Sequence, residues 1–238
     1  MPRPWLALLF VACSTGVDAQ PTGAPLEYIE IRTAGATERA ELPLVVALHG
    51  RGDRPESFAT LFDGFPAAAR IVVPRAPRVW GDGYAWFEQA RAVRANHATI
   101  ALELTRNARR VQKMIEVIRR DRPTRGRVVV VGFSQGAMLA YTLAVRYPDD
   151  VGAVFPVSGL LFPDALPRTG FEPTRVPPIV ALHGRTDSVV PIADDRRGVQ
   201  LLRARGVGVE LHEYDAAHTI TREMRDKLFR EMAAALTP

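Results

Sequence analysis

The chain has 238 residues, 47% of them hydrophobic and 24% charged, with a formal net charge of +5 and a pI near 9.9. That length suits one well-buried domain, and the composition excludes low-complexity, collagen-like and solenoid-repeat proteins. Only Lys113 and Lys227 are lysines; the other cationic residues are arginines scattered over the whole chain. Beyond the short clusters at 119–122 and 203–205 there is no basic stripe or tail, so no nucleic-acid partner is expected.

The first element is a leader. Arg3 precedes the apolar run Trp5 to Cys13, and Val17 and Ala19 place small residues at the −3 and −1 positions of a cleavage before Gln20. This order is that of a secretory signal, so residues 1–19 are expected to be removed and residues 20–238 to form a single α/β domain that is periplasmic or secreted. Two other readings stay open. Val11-Ala12-Cys13-Ser14 loosely resembles a lipoprotein site, which would leave a lipid anchor on Cys13, and the start could be uncleaved. Simple removal of the leader leaves no cysteine, so no disulfide. No run approaches the about 18 apolar residues of a transmembrane helix.

Leu26 to Thr33 alternates apolar and polar residues, the pattern of a half-exposed edge strand. Pro43 to His49 is continuously apolar, as a strand buried on both faces should be. Further strands are expected at 70–74, 127–132, 151–157, 178–183 and 206–214. Helical periodicity covers 99–120, where Leu102, Leu104, Val111, Met114, Ile115 and Ile118 are read as one stripe, and helices are also expected at 134–146, 192–205 and 219–236. Strands alternating with helices imply a mostly parallel, doubly wound sheet flanked by helices on both faces. Residues 75–96 show no period but contain Trp80, Tyr84, Trp86 and Phe87. Long ordered loops are more often functional than idle, so this one is the candidate wall of a binding site.

The chemistry starts at Gly132-Phe133-Ser134-Gln135-Gly136, which joins a four-valine strand to a helix. It matches G-x-S-x-G in the strand-turn-helix setting that motif requires. Glycines flanking the serine let strand and helix approach closely, and the turn lifts the hydroxyl to the positive end of the following helix. The N–H of Gln135 then points to where an oxyanion would form.

A serine hydroxyl needs a base, and this motif's fold predicts the order serine, acid, histidine. His183 sits inside a strand end and reads as structural, and His212 alternates on a strand as a surface residue. His218, in a loop before the last helix, can swing over Ser134 and is the candidate base. Asp187, in the loop after the sixth strand, is the candidate acid that would fix its tautomer. Asp194 and Asp195 read as caps at an exposed helix start, and Asp215 lies too close to His218 in sequence. The second oxyanion donor is expected from the loop Leu48-His49-Gly50-Arg51-Gly52-Asp53, at the N–H of Arg51.

With these residues in place, the chain resembles the phospholipase/carboxylesterase branch of the α/β-hydrolases, which includes acyl-protein thioesterases. The resemblance covers nearly the whole mature chain. It rests on the 48–53 and 132–136 motifs, Tyr84-Ala85-Trp86-Phe87, Val157-Ser158-Gly159, and His183-Gly184-Arg185-Thr186-Asp187 through Pro191. It implies an α/β-hydrolase fold without a large cap domain, no metal or cofactor, and cleavage of carboxylic ester or thioester bonds. Ala217 stands where members commonly have glycine, and the leader sets this chain apart from cytosolic members. The resulting expectation is an exported serine esterase, monomeric or homodimeric, acting on a small-molecule or lipid ester. Trp80, Trp86, Phe87, Leu160, Leu161 and Phe162 are expected to line an apolar acyl pocket, with plain core packing as the competing reading. Arg51 and Arg75 raise the further option of an anionic substrate. Aryl, feruloyl or polyhydroxyalkanoate esters, or peptides, remain alternative substrates, and an inactive hydrolase used as a binding module is the alternative from another class.

Overall fold

The computed structural model describes residues 26–88 and 97–237. The expected signal peptide and Cys13 lie outside the described residues, as does part of the 75–96 loop. In chain order the elements are β1 (Tyr28–Arg32), β2 (Leu42–Leu48), the short α1 (Pro55–Ala59), β3 (Arg70–Pro74), β4 (Arg78–Trp80) and β5 (Gly83–Ala85). They continue with α2 (His97–Asp121), β6 (Thr124–Phe133), α3 (Gln135–Arg146) and β7 (Val151–Val157). The last are β8 (Ile179–Gly184), α4 (Ile192–Ala204), β9 (Val209–Tyr214) and α5 (Arg222–Ala235).

Seven strands form one sheet in the order β1-β3-β2-β6-β7-β8-β9. β1 runs antiparallel to β3 at the edge, and every other pairing in that sheet is parallel. The alternation of side chains along each strand divides the core in two. Leu44, Val46, Leu48, Val128 and Val130 face one way, toward Leu104, Val111, Ile115 and Ile118 of α2 and the apolar residues of α3 and α4. Val45, Ala47, Val129 and Val131 face the other way, toward Phe58 of α1 and Leu228 and Met232 of α5. Covering both faces is what permits the seven residues of β2 to be buried without exception. The expected mostly parallel sheet with helices on both sides is therefore the observed one.

Three local expectations change. β1 is an edge strand, but its polar residue faces inward: Glu30 is buried and pairs with buried Arg70 of β3, while Ile29 and Ile31 are only partly covered. Arg32 and Arg122 also approach Glu30, so the carboxylate is neutralised rather than solvated. Leu102 is exposed and not part of the α2 stripe, which runs through Ile100, Leu104, Val111, Ile115 and Ile118 instead. The 75–96 segment carries a two-stranded hairpin, β4–β5, that propensity did not reveal because each strand has only three residues and β4 is wholly exposed.

Candidate active site

β6 ends at Phe133 and α3 begins at Gln135, so Ser134 alone makes the turn between them. Its backbone sits at φ 55° and ψ −115°, a left-handed conformation that costs a non-glycine residue about 1–3 kcal/mol. The surroundings enforce it. The Ser134 N–H donates to Val157 O at 2.9 Å, and the Met138 N–H donates back to Ser134 O at 3.1 Å. Strand and helix approach so closely that a Cβ on Gly136 would overlap Leu48 O and stand 2.8 Å from His49 O. One on Gly132 would overlap Gly136 O. The glycines are there for room.

The histidine and the acid come from neighbouring loops at the same edge of the sheet. The loop after β8 is tied to the loop after β9 by Arg185 N–H to Tyr214 O, 2.8 Å, and Thr186 N–H to Ala216 O, 3.1 Å. His218 then lies with Nε2 2.9 Å from Ser134 Oγ and Nδ1 2.7 Å from Asp187 Oδ2. Its ring packs against Phe133 at 4.9 Å between centroids. Asp187 is buried, and its other oxygen accepts the N–H groups of Val189 and Val190 at 2.9 and 2.8 Å. Two backbone donors on one oxygen and an imidazole on the other leave the carboxylate little freedom to turn. Ser134, His218 and Asp187 are thus brought together as one hydrogen-bonded line, open to solvent chiefly at His218.

The loop after β2 lies against this line. A Cβ on Gly50 would stand 3.6 Å from Ser134 Cβ, which places the loop beside the serine at the residue before Arg51. Gln135 opens α3, so its N–H is among those that a helix start leaves without an internal partner. The Arg51 side chain turns outward over the Trp80 ring, 4.9 Å from the centroid.

Polar contacts that the sequence did not reveal hold this loop in place. His49 is fully buried; its Nε2 accepts the Ala76 N–H at 3.2 Å, so Nδ1 carries the proton and donates to Gly50 O at 2.7 Å. Burial pushes its pKa below the ordinary 6.5, keeping the ring neutral. The Gln135 side chain accepts the Trp86 N–H at 2.9 Å and donates to Phe87 O at 3.1 Å, while Asn107 donates to Trp86 O at 2.5 Å. The hairpin is pinned to the same loop through Gly52 N–H to Tyr84 O, 2.7 Å, and Tyr84 N–H to Asp53 O, 3.0 Å.

The expected acyl pocket does not form from the residues named for it. Trp86, Phe87, Leu161 and Phe162 are at most 2% exposed and belong to the main core cluster under α2 and α3. Trp86 even donates its indole N–H to His49 O at 2.9 Å, so it is a structural pillar of the 48–53 loop. Leu160 is partly buried against that core. Trp80, 44% exposed at the hairpin, is the aromatic left facing solvent.

Of the remaining acids and histidines, His212 lies half-exposed beside Glu210, as expected of a surface strand. Asp195 departs from its expectation: it is buried, not an exposed cap. Its Oδ2 is 2.9 Å from His183 Nδ1, and its Oδ1 accepts from Tyr141 Oη at 2.8 Å. The signal was present in the sequence, because Asp195 falls on the stripe Ile192, Asp195, Val199, Leu202 that α4 buries. An acid on a buried stripe demands a partner. His183, fully buried as a structural histidine should be, is that partner. Burial opposes charge on His183, but the bond to Asp195 and its nearby charge outweigh it and raise the pKa. Burial also raises that of Asp195, against the bonds from His183 and Tyr141.

Comparison with known proteins places this geometry. The structure matches that of esterase PE8 with a TM-score of 0.73 at 26% identity, over 89% of this chain and 99% of that one. Acyl-protein thioesterase 2 of Zea mays matches at 0.66 and 21% identity, over 89% of this chain and 99% of its own. A protein of Oryza sativa subsp. japonica named a probable inactive carboxylesterase is 29% identical over 196 residues, 76% of this chain and 79% of the rice protein. The family model for Phospholipase/Carboxylesterase spans residues 30–232, from β1 to α5 and across every loop of the site. The chain belongs to the phospholipase/carboxylesterase family of α/β-hydrolases.

Proposed function

We propose that the protein is a serine hydrolase that cleaves carboxylic esters through an acyl-enzyme on Ser134. The observation that carries this reading is the line Ser134 Oγ–His218–Asp187, with links of 2.9 and 2.7 Å, at a serine held in a left-handed turn. His218 Nε2 takes the Oγ proton as Oγ attacks the acyl carbon, and returns it to the leaving alkoxide or thiolate. Water, deprotonated by the same nitrogen, then releases the acid. Asp187 holds the proton on Nδ1, so that Nε2 is free to accept, and stabilises the imidazolium that forms. The N–H groups of Arg51 and Gln135 receive the developing oxyanion.

The name of the rice relative describes a protein regarded as inactive; here serine, histidine and acid are all present and mutually bonded, which favours activity. Among the described residues the large exposed hydrophobics are Val79, Trp80, Leu102 and Val189. Of these, Val79 and Trp80 stand on the hairpin pinned to the 50–53 loop, and Val189 stands in the acid's own turn. Exposed apolar side chains on the hairpin and in the turn of Asp187 favour a substrate with an apolar acyl or alcohol part. If the leader expected at residues 1–19 directs export, such substrates would lie outside the cytosol.

The test is hydrolysis of p-nitrophenyl esters from two to sixteen carbons by the mature protein and by Ser134→Ala. We expect turnover by the first and a loss of about a millionfold in kcat for the second. Equal rates for the two proteins would overturn the assignment of Ser134.

A further inference from the structure

A second polar network stands directly behind the acid. His183, at the end of β8, directs Nε2 at Val190 O, 2.8 Å away, and at Asp187 Oδ2, 3.4 Å away. The latter is the same oxygen that receives His218 Nδ1. Val190 is thus gripped from both ends, its N–H by Asp187 Oδ1 and its carbonyl by His183. The opposite nitrogen of His183 is fixed by Asp195 of α4, and Asp195 by the Tyr141 hydroxyl of α3. Since α3 is the helix that Ser134 opens, the polar contacts close a ring: Ser134, His218, Asp187, His183, Asp195, Tyr141 and back along α3. His183 and Asp195 are at most 1% exposed and Tyr141 is fully buried. Burying three polar groups unpaired would be costly, and their alignment toward Asp187 goes beyond what mutual pairing alone requires.

We propose that His183, oriented by Asp195 and Tyr141, is a positioning residue for the candidate acid, holding the 187–190 turn through Val190 O with Nε2 3.4 Å from the Asp187 oxygen that His218 bonds. A carbonyl oxygen can only accept, so the 2.8 Å contact with Val190 O requires the proton on His183 Nε2. That N–H is the donor aimed at the turn. It opposes rotation of the Asp187 carboxylate away from His218, and it places a hydrogen-bond donor beside the negative charge on the side His218 does not reach. This role rests on the esterase reading only for its effect on turnover; its effect on the acid is a property of the fold.

The experiment compares wild type with Asp195→Ala, Asp195→Asn and Tyr141→Phe in two ways. The first is kcat and KM on the best ester of the series, well below each variant's unfolding temperature. The second is the far-downfield proton NMR spectrum, where hydrogen-bonded imidazole N–H protons of His183 and His218 are seen. Asp195→Ala is expected to lower kcat by roughly 10- to 100-fold, the size found when the outer partner of a metal-bound imidazole is removed, with KM little changed. It should displace the resonances of both His183 and His218. Asn can accept from Tyr141 and donate to Nδ1 while His183 keeps its Nε2–H, so Asp195→Asn should recover most of the loss. Tyr141→Phe should fall between. If Asp195→Ala does not fold, Tyr141→Phe and Asp195→Asn decide the question by the same two readouts. An unmoved His218 resonance with unchanged kcat in a folded variant overturns the proposal and leaves the network a matter of stability alone. Absence of Ser134-dependent turnover in wild type would instead overturn the esterase reading, and the His218 resonance would still report whether His183 reaches the acid.

Discussion

At the scale of single residues, the site depends on space and on proton placement, and each gives a definite expectation. Gly136→Ala would drive a methyl into Leu48 O and His49 O, which are backbone atoms that no rotamer change can move aside. The end of β2 and the start of α3 must separate, at a cost of about 1–3 kcal/mol or more. Urea unfolding should show that loss, and ester hydrolysis should fall with it because the same shift carries the 50–53 loop away from Ser134. Unchanged stability would mean the elbow is looser than its geometry. Asp187→Asn tests proton placement. The amide oxygen can keep the N–H groups of Val189 and Val190, which leaves the amide nitrogen facing His218 Nδ1. An N–H there forces the imidazole proton onto Nε2, so the ring can no longer accept from Ser134. Turnover should drop by about 10,000-fold with the fold intact. A loss below about tenfold would mean that Asp187 does not set the tautomer of His218.

At the scale of elements, the strands were legible because a sheet covered on both faces writes itself as uninterrupted apolar runs, as in β2 and the four valines of β6. Ser134, Asp187 and His218 were legible because their positions follow from strand ends. The hairpin was not, since β4 and β5 have three residues each and their pairing is with one another and with the loop at Asp53, contacts that no local period reports. Aromatic content then misled the pocket assignment: Trp86 and Phe87 sit where the hairpin re-enters the core, and only Trp80 stays outside. Asp195 was misread because an acid near a helix start usually caps it, although its place on the buried stripe of α4 pointed inward. The hairpin's role can be tested apart from the rest of the fold. A Cβ on Gly83 would overlap Gly52 O and stand 2.7 Å from Asp53 O. Gly83→Ala should therefore lift the hairpin off the 50–53 loop and break the Gly52–Tyr84 and Tyr84–Asp53 bonds. Because β4–β5 lies outside the main sheet, kcat should fall while the unfolding temperature moves less than for Gly136→Ala. The reverse order of effects would make the hairpin a structural brace rather than a part of the site.

At the scale of the whole molecule, two buried histidines at the same edge of the sheet give stability opposite dependences on pH. Native His49 resists protonation, so its contribution is full above the ordinary value of 6.5 and is lost as pH falls from there toward its depressed native value. Native His183 holds its proton with Asp195, so that contribution is full below 6.5 and is lost as pH rises through its elevated native value. Each acts with a slope of up to about 1.4 kcal/mol per pH unit within its own window. Together they favour a stability maximum near the ordinary histidine value, with the His49 term on the acid side and the His183 term on the alkaline side. His49→Asn separates the two. Asparagine can still donate toward Gly50 O, but it does not titrate and it leaves the Ala76 N–H without its ring acceptor. The variant should be less stable than wild type at pH 7.5, and the gap should narrow as pH falls below about 6.5 because only wild type must keep an imidazole neutral. Urea unfolding at a series of pH values measures the gap directly. A gap that stays constant across that window would mean His49 takes up a proton without leaving its place, and the loop beside Ser134 would then have to accommodate a charge.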